Sequence, residues 1–178
     1  AEDARRVAGQ LGIPFYVLNL EREFGAGVLR PFLEAYQSGE TPSPCVDCNS
    51  YVKFGALLGR ARRLYDCDAV ATGHYASVVI ADDGSRELHR AADALKDQSY
   101  VLGVLTQEQL AHSYFPLGDS IKPDVRLEAE RRGLLVADKP DSHDICFIPD
   151  GDTRGWLAER VGAAQGEVID RTGAVVGS

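Results

Sequence analysis

Two cysteines separated by two residues, Cys45 and Cys48, are the side chains of this sequence best suited to chemistry. Thiolates act as nucleophiles, redox centres and metal ligands, and this spacing holds two of them on one short segment. Asn49 and Ser50 are typical helix-start residues, and apolar residues then recur with helical period. The pattern therefore predicts that Cys48 lies at or just before a helix N-terminus, where the helix dipole would lower its pKa.

The cysteine pair alone leaves three interpretations open: a redox dithiol, half of a zinc site, or a pair of cluster ligands. A zinc site would need two more ligands, and only Cys146 with a nearby histidine is available. Cys146 sits among His143, Asp144 and apolar residues, which also fits a buried core thiol. Cys67 directly precedes an apolar segment and is interpreted as a structural thiol.

Composition limits the class of protein. The chain has 178 residues, 44% hydrophobic and 26% charged, which is ordinary for a globular protein. Its net charge of −8 argues against indiscriminate binding to nucleic acid, although a local basic face remains compatible with it. Four cysteines are too few for a disulfide scaffold, and no apolar run suits a membrane span, so we expect a cytoplasmic protein without membrane partners. The absence of methionine suggests a fragment.

The elements around the cysteines alternate between helix and strand. Helical patterns cover residues 2–11, 21–38 and the segment from Phe54 to Tyr65. Short apolar runs at residues 13–20 and 68–73 are typical of buried parallel strands. We therefore predict an α/β domain with a parallel sheet.

Several polar residues are candidates for ligand contacts. The second predicted strand ends in Gly73 and His74, and ligands of parallel sheets bind beyond the carboxyl ends of strands. Lys53, Arg60 and Arg63 share one side of the predicted helix, which is either a solvated face or a stripe that contacts phosphates. A polar cluster that includes residues 96–98 is either a loop or a recognition segment.

Downstream, local signals predict smaller elements. Residues 75–80 and 86–90 flank a turn signal and predict a hairpin. Helices are predicted to begin near Thr106, Lys122 and Asp152, with Gly133 ending the second of them. Residues 166–170 and 174–176 predict a last hairpin that opens an all-β module.

Five motifs in this order closely resemble the tRNA-specific 2-thiouridylase family: TPSPCVDCNSYVKFGALL, VATGHYA, KDQSY, FPLGD and DSHDICFI. The resemblance covers nearly the whole chain. It implies ATP-dependent replacement of the C2 oxygen of the wobble uridine of tRNA by sulfur, with tRNA and a sulfur-donor protein as partners. It also implies an ATP-pyrophosphatase-like α/β domain over residues 1–148 and the start of a small β-containing central domain, which binds tRNA, over residues 149–178.

The resemblance also implies roles for individual residues. Cys48 matches the first catalytic cysteine and Cys146 the cysteine that carries sulfur as a persulfide, with a disulfide between them during turnover. Gly73 matches an ATP-contacting glycine. Matches to RNA-contacting positions are Ser43, Pro44, Cys45, His74, Lys96, Asp97 and Gln98.

Two departures from the family pattern change what we expect. The glycine- and serine-rich phosphate loop is absent from the 178 residues, so we expect ATP turnover to be incomplete in this chain alone. Some members have an aspartate where Cys45 stands, which leaves Cys45, Cys48 and Cys146 available to hold an iron–sulfur cluster. The alternatives are a non-catalytic metal- or cluster-binding RNA module and a nucleotide-activating amide ligase, which would not need Cys48 and Cys146.

Overall fold

The computed structural model describes residues 1–140, 145–162 and 166–177. The part of the DSHDICFI motif at residues 141–144, with His143 and Asp144, therefore lies outside the described residues. Among the residues that are described, no helix is both long and apolar enough to cross a lipid bilayer.

The first two predicted helices are present in the structure. Helix α1 (Glu2–Leu11) begins with two acidic residues and ends at Gly12, which has a left-handed backbone. A second, continuous helix consists of α2 (Glu21–Phe24), the π-helical turn π1 (Gly25–Leu29) and α3 (Arg30–Gln37).

The helix that carries the cysteine pair begins earlier than the sequence predicts. It consists of α4 (Pro44–Asp47), the π-helical segment π2 (Cys48–Leu57) and α5 (Leu58–Tyr65), and Ser43 is its N-cap residue. Proline is favoured in the first turn because its missing N–H is not needed there. The start of the helix is therefore determined by Pro44 rather than by Asn49 and Ser50.

The predicted buried strand over residues 13–20 is wrong. The segment is not part of a sheet, and Ile13, Tyr16 and Val17 are each more than half exposed. A strand exists only when a neighbour completes its backbone hydrogen bonds, and no described strand lies against this segment. The apolar composition of residues 13–20 is therefore not enough to predict a strand.

The second predicted strand is present but short. Strand β1 (Val70–Ala71) pairs in parallel with β4 (Ser113–Tyr114). The amides of Val70 and Thr72 donate to the carbonyls of His112 and Tyr114 at 2.9 and 3.0 Å. Ala71 is exposed, so the expected burial of this strand is wrong, because within the described residues only β4 pairs with it.

The smaller predicted elements are confirmed. Strands β2 (Ala76–Ile80) and β3 (Arg86–Arg90) form the predicted hairpin, and β5 (Val168–Ile169) and β6 (Val175–Gly177) form the last one. A 3₁₀ turn covers Ser99–Val101. The later helices are α6 (Gln107–Ala111), α7 (Lys122–Arg131), which Gly133 follows, and α8 (Thr153–Val161).

Two apolar clusters hold these elements together. The core packs π2 against the β2–β3 hairpin and the segment after it, through Phe54, Ala76, Val101, Leu102, Leu105, Leu110 and Phe115. A second cluster of aromatic rings joins α3 to α8 and to the segment after residue 144, because Phe32 contacts both Phe147 and Trp156 edge-on. The cysteine helix and the loop that contains Cys146 are thus fixed on neighbouring parts of the fold.

Candidate active site

A cavity of about 530 Å³ lies between π2, the segment that follows β1, and the loop that contains Cys146. This is the carboxyl end of a parallel strand, where α/β folds place their ligands. The walls include most of the residues expected from the sequence: Pro44, Cys45, Cys48, Gly73, His74, Lys96, Gln98 and Cys146.

Cys48 does not lie at the helix N-terminus, contrary to the sequence prediction. The helix starts at Pro44, so Cys45 occupies its first turn and Cys48 begins π2 one turn later. The free backbone amides and the positive end of the dipole act mainly within the first turn. Cys45 is therefore the thiol closer to the helix end, and it is exposed.

The predicted lowering of the Cys48 pKa is also wrong. Burial of the half-buried thiol raises the pKa of Cys48, and this effect outweighs the attraction of the nearby Lys53 ammonium. Negative charge on Cys146 and on Cys45 raises the pKa of Cys48 further. At neutral pH the resting form of Cys48 is accordingly the thiol.

Three of the four cysteines share the cavity. Cys146 is exposed at its wall, and its charge acts on Cys48 although the two residues are far apart in the sequence. Cys67 lies elsewhere, in a shallow depression beside Tyr65, and its Sγ donates to the Tyr65 carbonyl at 3.7 Å. Cys67 is exposed, so it is not a buried core thiol, but it is separate from the other three.

The structure does not support a metal centre formed by these thiols. Within residues 1–140, 145–162 and 166–177, no three His, Cys, Asp or Glu side chains converge closely enough to hold a metal ion. Cys45, Cys48 and Cys146 line one cavity without forming such a group. The expectation that they could hold an iron–sulfur cluster is therefore unsupported by the geometry.

His74 is buried at the wall of the cavity and is held by two side chains. Its Nδ1 lies 2.8 Å from Thr72 Oγ1, and its Nε2 lies 3.4 Å from Lys53 Nζ. Burial, assisted by the Lys53 charge, lowers the pKa of His74 to about 4. A neutral ring whose Nε2 accepts from the ammonium must carry its proton on Nδ1, which then donates to Thr72.

The segment at residues 96–98 divides into lining and supporting side chains. Lys96 and Gln98 line the cavity, and Gln98 Oε1 accepts from the Tyr75 amide at 3.2 Å. Asp97 does not line it: its carboxylate accepts from the Ala91 amide at 2.9 Å and from the Ser99 hydroxyl at 2.8 Å. Although burial opposes its ionisation, these hydrogen bonds lower the pKa of Asp97.

Ser43 and Gly73 have different surroundings. Ser43 is exposed as the N-cap residue and is not among the residues that line the cavity. Gly73 lines it, and an added Cβ would meet only Leu117 Cδ1, at an ordinary 3.9 Å. The packing of the protein does not require a glycine there, which is compatible with close approach of a ligand.

The three basic residues of the cysteine helix lie in different surroundings. Lys53 points to His74, whereas Arg60 forms an ion pair with Glu23 and donates to the Asn19 carbonyl. Arg63 lies at a third place, near Cys67. The three residues therefore do not form one continuous phosphate-contacting stripe.

Sequence reasoning missed several residues of the cavity wall: Phe24, Val28, Asn49, Tyr75, Tyr100, Val101, Lys122, Ile145 and Phe147. Asn49 follows Cys48 directly, and its residue type alone indicates only a helix start. Lys122 likewise indicates the start of a helix, yet its Nζ lies 5.7 Å from the centroid of the Tyr75 ring. The family motifs contain Asn49, Tyr75, Tyr100, Ile145 and Phe147, so their place in these motifs is a signal that could have found them. Phe24, Val28, Val101 and Lys122 lie outside the motifs, and no local signal indicates them.

Fold and cavity together define an α/β domain with thiols at the carboxyl end of its parallel strand pair. Residues 1–150 match the family model described as the tRNA methyl transferase HUP domain, and the chain belongs to this family. The match confirms the predicted α/β fold class.

Relatives with high identity extend this result. The chain is 58% identical over 180 residues to the tRNA-specific 2-thiouridylase MnmA of Streptomyces avermitilis, covering 100% of the chain and 48% of that protein. It is 60% identical over 177 residues to the protein of the same name from Clavibacter michiganensis, covering 99% of the chain and 46% of that protein. The chain thus spans about half the length of the curated relatives it matches.

Proposed function

We propose that the protein containing this chain is a tRNA 2-thiouridylase, which transfers persulfide sulfur to C2 of the wobble uridine in an ATP-dependent reaction. The observation that carries this proposal is the presence of Cys48 and Cys146 in the wall of one cavity, beside the end of β1. The names of the relatives and the family match support the same class of enzyme.

The cavity suits one unstacked base. Its volume of about 530 Å³ falls within the range of small-molecule pockets, and it combines apolar walls with a few polar groups. An enzyme that modifies C2 of a base must extract that base from its stack. We assign Cys45, Pro44 and His74 to the surroundings of the base, with Ser43 just outside.

The two thiols have separate tasks. The terminal sulfur of a Cys146 persulfide attacks C2 of the activated uracil, forming a C2–S bond as the activated oxygen leaves. The Cys48 thiolate then attacks Cys146 Sγ, which breaks the S–S bond to the transferred sulfur. This step leaves the thiocarbonyl on the base and a Cys48–Cys146 disulfide, which an external thiol reduces.

Exposure of Cys146 fits its task, because the sulfur must come from another protein. A donor persulfide passes its outer sulfur to the Cys146 thiolate and retains its own thiol. Burial of Cys48 fits the second task, since its attack takes place inside the cavity.

ATP is the cosubstrate that converts the C2 oxygen into a leaving group. We assign Gly73 to the nucleotide because it lines the cavity at the strand end with room for close approach. Lys96 and Lys122 line the same cavity and supply positive charge for phosphates of the nucleotide or the tRNA. Asp97 acts indirectly by holding the segment that carries Lys96 and Gln98.

We propose the domain boundary near residue 148, with residues 149–178 beginning a central tRNA-binding domain. Helix α8 belongs to that part of the chain, and Trp156 anchors it by packing against Phe32 and Phe147. The partners are then tRNA and a persulfide-donor protein.

The test uses the full-length protein with tRNA, ATP and a persulfide donor, followed by mass spectrometry of the nucleosides. We expect ATP-dependent formation of 2-thiouridine in tRNA that has a wobble uridine. A tRNA in which cytidine replaces that uridine serves as the control. Absence of 2-thiouridine from a protein that binds both ATP and tRNA would overturn the proposal.

A further inference from the structure

Cys48 must be a thiolate to attack Cys146, yet its surroundings disfavour the charged form. Burial and the neighbouring thiols both oppose ionisation. The charged and titratable side chains that line the cavity with Cys48 are Cys45, Lys53, His74, Tyr75, Lys96, Tyr100, Lys122 and Cys146. His74 is neutral at physiological pH. Lys53 is the cation whose charge favours the Cys48 thiolate.

Lys53 reaches this place because of an irregularity in the helix. It stands five residues after Cys48, and in an α-helix with 3.6 residues per turn such residues point about 140° apart. A π-helical segment instead bonds each residue to the one five positions away. Segment π2 covers both residues, and at its end the Leu58 amide donates to the carbonyls of both Lys53 and Gly55, the first of which is the π-helical bond. Cys48 and Lys53 therefore line the same cavity.

Gln109 on α6 supports π2 from outside. Its Nε2 donates to the carbonyls of Ser50 and Phe54 at 3.1 and 3.2 Å. Its Oε1 accepts from the Thr106 amide at 3.0 Å, which determines the orientation of the side-chain amide. Gly55 is the complementary feature, because a Cβ there would lie 2.9 Å from the Ser50 carbonyl oxygen.

The ammonium group is aimed by His74. Nε2 of the neutral ring accepts from Lys53 Nζ at 3.4 Å, while Nδ1 is occupied by Thr72. Because the His74 ring is neutral, it orients the Lys53 ammonium without itself forming an ion pair with the Cys48 thiolate. The result is a positive charge held near the half-buried thiol.

We propose that Lys53 is the positioning residue that stabilises the Cys48 thiolate, and that the π-helical register supported by Gln109 is what brings it there. The placement of Lys53 rests on the geometry alone; its catalytic consequence rests on the proposed thiolation. A cation beside a thiol lowers the cost of ionising it, and a tenfold change in thiolate population corresponds to one pKa unit.

The first experiment measures alkylation of Cys48 by iodoacetamide between pH 6 and 10, without tRNA or ATP, in the full-length protein. Mass spectrometry of the Cys48 peptide separates it from the other cysteines. We expect Lys53→Met to shift the pH profile upward and slow alkylation at neutral pH about three- to tenfold. Lys53→Arg should restore most of the rate. Arg63→Met removes the same charge from an exposed position on this helix and should leave the profile unchanged.

The second experiment tests the register. Gln109→Met removes the hydrogen bonds to Ser50 and Phe54 while keeping the length of the side chain, and we expect a shift in the same direction as for Lys53→Met. The variant that combines Lys53→Met with Gln109→Met should show no shift of the alkylation profile beyond that of Lys53→Met alone. Thr106→Ala removes the hydroxyl that caps α6 but keeps the side-chain amide of Gln109. The pH profile of Cys48 alkylation should therefore stay that of the parent protein.

Some outcomes would overturn the proposal. An unchanged Cys48 profile in Lys53→Met, with weakened ATP or tRNA binding, would make Lys53 a phosphate contact instead. Equal shifts in Gln109→Met and Thr106→Ala would reject the role of the π-helical register. Because alkylation needs no sulfur transfer, these results are independent of whether the protein makes 2-thiouridine.

Discussion

The side-chain amide of Asn49 donates from Nδ2 to the carbonyl oxygen of Val101 at 3.1 Å, across 52 residues of sequence. Both residues are buried, and both line the cavity. This hydrogen bond joins the cysteine helix to the 3₁₀ turn that follows the segment at residues 96–98. Nδ2 must face Val101, because a carbonyl oxygen can only accept.

Asn49→Asp should destabilise the protein at neutral pH, because the carboxylate replaces the donor with a negative charge facing a carbonyl. We expect the free energy of unfolding to fall by about 1–3 kcal/mol at pH 7 and by less near pH 4, where the protonated acid can donate. Urea unfolding measures both values. The control is Asn19→Asp. Asn19 Oδ1 accepts a hydrogen bond from the Glu21 amide, and a carboxylate oxygen can accept the same bond. A loss in Asn49→Asp that is equal at both pH values would contradict the assigned direction of the bond.

Substitution of the two catalytic candidates should have different consequences. Cys146→Ser cannot carry the persulfide, so it should yield neither 2-thiouridine nor a covalent adduct with tRNA. Cys48→Ser should also lose turnover, but should accumulate a tRNA–protein disulfide through the transferred sulfur, because release needs the Cys48 thiolate. Denaturing gels with and without a reducing thiol detect this adduct.

Cys67→Ser provides the matched control for these substitutions. Cys67 is exposed and lies in a different depression, so its replacement should leave thiolation at the parent rate. Normal thiolation by Cys146→Ser would remove the persulfide assignment and the mechanism that depends on it.

Burial of His74 predicts a pH dependence of stability. Its pKa is lowered from 6.5 to about 4 in the folded protein, so the unfolded chain binds more protons between these values. Stability is therefore full above about pH 6.5 and declines as the pH falls towards 4, by at most about 3 kcal/mol. His74→Gln should flatten the curve of unfolding free energy in this window, whereas His89→Gln, on the exposed face of β3, should not. A parent curve that is flat from pH 6.5 to 4 would refute the assignment.

Tyr100 lines the cavity, yet 73% of the residue is exposed. An exposed aromatic ring at the edge of a base-sized cavity can stack on a neighbouring nucleotide. We expect Tyr100→Ala to weaken tRNA binding about five- to 150-fold at fixed salt, and Tyr100→Phe to retain binding. Tyr114→Ala is the control, because Tyr114 is 63% exposed but does not line the cavity. If all three variants bind like the parent protein in a filter-binding assay, Tyr100 is only a surface residue.

Much of the local structure could be predicted from the sequence because short-range chemistry decides it. Thr106 and Gln109 form a capping box at the start of α6, and the turn between β2 and β3 follows from the residues in it. The segment at residues 13–20 failed the same kind of reasoning, because its backbone partners are not encoded within the segment.

The residue types and the order of the motifs determined by themselves the α/β class, the family and the set of candidate catalytic thiols. Only the tertiary structure decided how these thiols behave. Burial raises the pKa of Cys48 where the helix dipole was expected to lower it, and the π-helical register places Lys53 beside it. Solvation, long-range contacts such as Gln109 to Ser50, and helix register depend on what packs around a residue. No short stretch of sequence contains that information.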